Sequence, residues 1–156
     1  MATTTAAPTT RYLAPGWFAR HAFNRATRRL TLMGLGVWGS RELRVVGRSS
    51  GQVRSTVVNQ LEVGDRRYLV APRGTTQWVR NIRVAGTGQL RVGRRVEQFR
   101  AAELPEGDLK VTVLQAYLRR WSWEVGQFFD GVDVDDPAAL ARVASGYPVF
   151  AIEREA

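Results

Sequence analysis

The sequence predicts an α+β fold, a small antiparallel β-barrel of about six strands with flanking helices. Two observations predict it. From Glu42 to Glu103, apolar runs are cut by Gly-containing turns, giving five strands with one inserted helix rather than alternating β and α units. The last third then adopts helical spacing and returns to one short apolar strand. No repeat or linker interrupts the 156 residues, a length that suits one domain with a real core.

Each element has its own signal. Met1–Thr10 is rich in Thr and Ala, so residues 1–11 are expected to form a disordered tail and 12–156 the domain. Pro15–Leu30 reads as a helix. Ala19, Ala22, Phe23, Ala26 and Leu30 recur at helical spacing, with His21, Arg25, Arg28 and Arg29 around the other side. Such a helix either docks on the core with a solvated basic face or visits an anionic membrane surface. Leu43–Gly47 and Val53–Val63 are strands joined by a turn in which Gly51 can take positive φ. Val63-Gly64-Asp65-Arg66 turns into a third strand at Tyr68–Ala71. Thr76–Ala85 is a short helix with Trp78, Ile82 and Ala85 on one face and Gly86 at its end. Gln89–Val92 and Val96–Ala102 form a hairpin about Gly93-Arg94-Arg95. Asp108 is expected to cap a long helix carrying the stripe Val111, Leu114, Tyr117, Leu118, Trp121, Val125 and Phe128. Asp136-Pro137 starts another helix that ends at Gly146, and Tyr147-Pro148 forces extended backbone into Val149–Ile152.

Composition removes whole classes of chemistry. With no Cys, there are no disulfides, thiolate metal sites or cysteine nucleophiles. His21 is the single histidine, which argues against Ser-His-Asp hydrolysis and multi-histidine metal sites. Arginine outnumbers lysine 22 to one, Lys110 being the one. Codon bias in a GC-rich genome accounts for that total equally well, so distribution is the better guide. Residues 11–100 hold 18 Arg against 4 acids, a local charge of +14, whereas residues 101–156 carry −5. A basic front attracts polyanions: nucleic acid, anionic lipid or a phosphorylated cofactor. The N-terminus shows no secretory signal, and the run Leu30–Trp38 is about half a bilayer span, so a cytoplasmic protein is expected.

Two segments carry candidate chemistry. In Gly47-Arg48-Ser49-Ser50-Gly51-Gln52-Val53-Arg54, two guanidinium groups flank a tight turn with two hydroxyls. The turn either presents several backbone N–H groups to one anion, with Arg48 and Arg54 adding bidentate contacts, or is an ordinary polar hairpin. Ala71-Pro72-Arg73-Gly74-Thr75-Thr76-Gln77-Trp78-Val79-Arg80-Asn81 runs from a strand end into a helix start, where free N–H groups favour an anion near Thr75 and Thr76. Gly74 permits close approach of a ligand. The bland alternatives are Thr75 or Thr76 as N-cap and Trp78 as core. Asn81, unfavourable inside a helix, predicts a tertiary hydrogen bond.

These segments resemble the deazaflavin-dependent nitroreductases, a branch of the split β-barrel flavin and deazaflavin oxidoreductases. Gly47–Arg54 fits their G-R-[KS]-[ST]-G-x-x-R hairpin, Val70-Ala71-Pro72-Arg73-Gly74 stands at their strand end and loop, and Trp78-Val79-Arg80-Asn81 fits W-x-x-N. Tyr147-Pro148-Val149-Phe150 is similar to their terminal strand. The resemblance implies a split barrel that binds reduced coenzyme F-420 and passes hydride to a quinone, nitroaromatic or enone. Arg48, Ser49, Ser50, Gly51 and Arg54 would hold the phosphate-bearing side, and Arg73, Gly74, Thr75 and Thr76 the deazaflavin side, with Trp78 packed behind it. Trp123 and Phe129 are open between a substrate pocket and packing, and Tyr117 and Tyr147 are the nearest to proton-donor candidates; no catalytic residue is assigned. Alternatives are an FMN-binding or non-catalytic split-barrel protein and, last, a basic nucleic-acid module, which shows no recognition signature. A homodimer is compatible with the aromatic face Trp121–Phe129.

Overall fold

The computed structural model of the protein describes residues 39–156. The expected tail and the expected basic helix at 15–30 lie outside the described residues. Six strands form a closed antiparallel barrel: β1 (Ser40–Val46), β2 (Val53–Val63), β3 (Arg66–Val70), β4 (Thr87–Val92), β5 (Arg95–Glu103) and β6 (Val149–Arg154), in spatial order β1-β2-β3-β6-β5-β4 with β4 returning to β1. Three helices accompany it: α1 (Gln77–Ala85), α2 (Asp108–Val125) and α3 (Pro137–Val143).

Side chains alternate across the barrel wall as the period of two requires. Leu43, Val45, Val58, Leu69, Leu90, Phe99, Phe150 and Ile152 point inward and make one buried cluster, completed by Val79 and Ile82 of α1. Their neighbours Leu61, Tyr68, Val70 and Val149 point outward into a second cluster beneath α2 and α3. Helix α1 therefore stoppers one end of the barrel, and α2 and α3 cover one flank. Gly88 faces Phe99 across the β4–β5 ladder, where a Cβ would stand 2.7 Å from the ring, so only glycine fits that wall position.

The opposite end is closed by polar groups on the inward face. Arg67, paired with Ile152, reaches Glu97, paired with Leu90, at 2.5 Å, and Gln60 donates to Glu62 at 3.2 Å. Apolar side chains of β1 to β6 and α1 fill the barrel interior.

Several boundaries follow from local chemistry. Gly86 ends α1 in the left-handed region (φ 69°) and donates to the Ile82 carbonyl. Asp136 caps α3, accepting from the Ala139 N–H at 3.1 Å, with Pro137 in the first turn. Asp108 does not cap α2: Gly107 occupies that position without a side-chain bond, and Asp108 lies in the first turn, where its charge suits the helix dipole. The expected stripe on α2 is buried from Val111 to Val125, with a kink at Trp121 (φ −125°, ψ 22°), and Phe128 falls in a following 3-10 turn, Gly126–Phe129.

Candidate functional site

The β1–β2 hairpin, the loop 71–76 and the start of α1 all lie at the barrel end that α1 closes. One arginine ties the hairpin to α1. The backbone N–H of Arg48 donates to Asn81 Oδ1 at 3.2 Å, and its Nη1 donates to the same oxygen at 2.8 Å and to Gln77 Oε1 at 3.0 Å. Asn81 is buried, and Arg48 is the tertiary partner that its place inside a helix predicted. Gln77 gave no signal in the sequence; an exposed helix glutamine carries none. These bonds seat the hairpin tip against the first turn of α1 and so bring the two sequence-predicted segments to one rim.

Within the hairpin, Gly47 N–H donates to Gln52 O at 2.7 Å, Gly51 N–H to Gly47 O at 2.9 Å and Gln52 N–H to Ser50 Oγ at 3.2 Å, while Gly51 sits at φ 68°. The sequence suggested a nest of several converging N–H groups. The turn consumes most of them in its own bonds and in the Asn81 contact, leaving those of Ser49 and Ser50. Arg54 pairs with Val45, an inward-facing residue, so it belongs to the barrel mouth, and its Cγ passes close over Gly47. Arg48, Ser49, Ser50 and Arg54 are exposed. No carboxylate of the described residues lies in ion-pair range of Arg48 or Arg54.

The second segment is wound more tightly than the sequence suggested. Ala71 N–H donates to Pro148 O, Gly74 N–H to Ala71 O and Thr76 N–H to Gly74 O, with Gly74 at φ 82°. Thr76 occupies the N-cap of α1 in extended conformation but makes no capping bond, and its Oγ1 is buried without a partner. Helix α1 thus begins uncapped at the rim, beside Thr75 and half-buried Arg73. Trp78 packs onto the barrel cluster, its ring 5.7 Å from that of Phe150. At its far end α1 is held by Arg83, which makes a bidentate pair with Glu103 at 2.8 and 2.6 Å. The hydrogen bond to Glu103 raises the Arg83 pKa, so the clamp stays charged.

The aromatic candidates of the C-terminal third are elsewhere. Phe129 is core, stacked on Tyr147 at 4.0 Å between centroids, and the Tyr147 hydroxyl donates to the Phe128 carbonyl. Tyr117 is buried on the inner face of α2, away from the rim. Burial first, and the Glu124 charge second, push its phenol above the ordinary value of 10. Neither tyrosine faces the rim. Trp123 is 72% exposed on α2, whereas Phe129 is buried.

A closed six-stranded antiparallel barrel with flanking helices is a split-barrel fold. Solved structures agree on the fold. HutZ, described as a haem storage protein from Vibrio cholerae, superposes with a TM-score of 0.55 at 9% identity, over 77% of this chain and 84% of its own. An F420-H2 dependent reductase, FDR-A, gives 0.50 at 18% identity over 74% and 94%. A chain described as a domain-swapped dimer gives 0.52 at 20% identity over 83% and 95%. No curated protein matches the chain. The family is settled by the sequence: the F420H(2)-dependent quinone reductase model matches residues 24–128, and the chain belongs to that family. It is an F-420-dependent oxidoreductase. The match agrees with the deazaflavin-dependent family resemblance that the motifs carried. Among the described residues no helix is long and apolar enough to cross a membrane, and no cluster of His, Asp or Glu could hold a metal ion.

Proposed function

We propose that the protein reduces a quinone with F-420H2, and that the rim built from Arg48, Ser49, Ser50, Gly51, Arg54, Arg73, Gly74, Thr75, Thr76 and Trp78 holds the coenzyme. The observation that carries this reading is the Arg48 bridge, which joins the two segments into one cationic edge. The rim fits an anionic, partly aromatic group on three counts. Among the described residues the guanidinium groups of Arg48 and Arg54 have no carboxylate partner. The buried Thr76 Oγ1 lacks one bond, and α1 starts uncapped. The coenzyme, when bound, supplies the hydride chemistry. The chain supplies position and charge. Arg54 at the mouth and the Ser49 and Ser50 N–H groups bind phosphate or carboxylate oxygens, Thr76 offers its hydroxyl, and Trp78 forms the apolar wall behind. Nitroaromatic and enone acceptors are the second choice after quinones, and FMN the second choice of cofactor.

Fluorescence titration with F-420 tests the reading. Arg54→Ala is expected to weaken binding by about 1–3 kcal/mol, the range for a charge-assisted contact. Its Tm should move little, since an exposed arginine contributes little to folding. Wild-type protein that fails to quench the coenzyme at tens of micromolar, or an Arg54→Ala protein that binds normally, overturns the assignment.

A further inference from the structure

We propose that Asn81, assisted by Gln77, is a positioning residue that holds the Arg48 guanidinium at the rim without cancelling its charge, so that Arg48 meets an anionic group of the ligand. This rests on the reading above that the rim is the coenzyme site. Three features carry it. First, the two acceptors are spaced four residues apart on α1, hence one above the other on the same helix face, and both take the same Nη1. The guanidinium is therefore fixed in place as well as in charge. Second, Asn81 Oδ1 also accepts from the Arg48 main chain, so one buried atom sets both the loop tip and the side chain. Third, both acceptors are neutral amides. A carboxylate at either place would make a stronger bond to Arg48 but would leave an ion pair of zero net charge where the rim needs a cation.

The third feature makes a structural role and a charge-preserving role separable. Asn81→Asp retains the shape and both acceptor bonds while adding one negative charge. If Asn81 merely braces the hairpin, this variant folds and binds at least as well as the wild type. If Asn81 preserves the charge of Arg48, the variant keeps its thermal stability and loses affinity. Two ligands are used: F-420, followed by fluorescence, and inorganic pyrophosphate, followed by its protection against thermal unfolding. The expected result for Asn81→Asp is an unchanged Tm, an F-420 dissociation constant raised about tenfold, and loss of pyrophosphate protection. Gln77→Glu, on the exposed surface of α1, carries the same test at a position whose substitution does not touch the core, and is expected to move both readouts in the same direction.

Either variant binding both ligands as the wild type does overturns the inference and leaves the proposed function standing. A wild type that pyrophosphate protects but F-420 does not bind overturns the proposed function, and the variants then decide the inference on pyrophosphate alone. A wild type indifferent to both ligands overturns the two together.

Discussion

At the scale of single residues, this protein separates charge paired with carboxylates from charge held by neutral amides. Arg83 and Arg67 are matched with carboxylates, whereas Arg48 is held by amides. Tyr117 shows the other treatment of a titratable group, complete burial. Its pKa is raised in the fold, so the unfolded chain loses this proton near pH 10 while the folded chain retains it. The native state thus binds more protons above pH 10, and stability, fully present below that value, declines as pH rises towards the folded pKa. Urea unfolding between pH 9 and 11 is expected to show this decline, and Tyr117→Phe to reduce its slope by up to about 1.4 kcal/mol per pH unit, one proton's worth. An unchanged slope would mean that Tyr117 is not the group responsible.

At the scale of elements, short pieces depend on their ends. Helix α3 has seven residues and a single buried side chain, Leu140, so the Asp136 cap is a large part of what starts it. Asp136→Ala is expected to cost about 1 kcal/mol, read by calorimetry as a drop in Tm without loss of F-420 binding, because α3 is remote from the rim. Caps and turns of this kind made most elements legible in advance. The β2 limits, the Gly86 stop of α1, the Asp136-Pro137 start and the final strand after Pro148 were all readable because each rests on a local steric or hydrogen-bonding preference. Asp108 is the first residue of α2 rather than its cap, because a flexible glycine, Gly107, stands at a cap that sequence rules give to a polar side chain. The site was less legible for a different reason. Asn81 signalled that it needed a partner, but a separation of 33 residues hid that the partner was Arg48. Likewise the hairpin N–H groups looked available until the turn's own bonds claimed them.

At the scale of the whole molecule, the sequence carries a charge of +9, and its arginines are concentrated in the barrel half. An anionic coenzyme approaching such a surface is steered by a field that salt screens. F-420 affinity is therefore expected to fall steadily between about 50 and 500 mM NaCl, and to fall less steeply in Arg54→Ala. Equal salt dependence in the two proteins would show that Arg54 contributes no charge to binding.

Because apolar side chains fill the barrel and its two ends carry α1 and the Arg67–Glu97 ion pair, binding at the proposed rim requires no internal chamber to open. Capture should resemble a hand closing on a rail more than a key entering a lock. Stopped-flow mixing with excess coenzyme is expected to give one exponential whose rate climbs linearly with concentration. A plateau would reveal a hidden gating motion that a solid barrel has no need of.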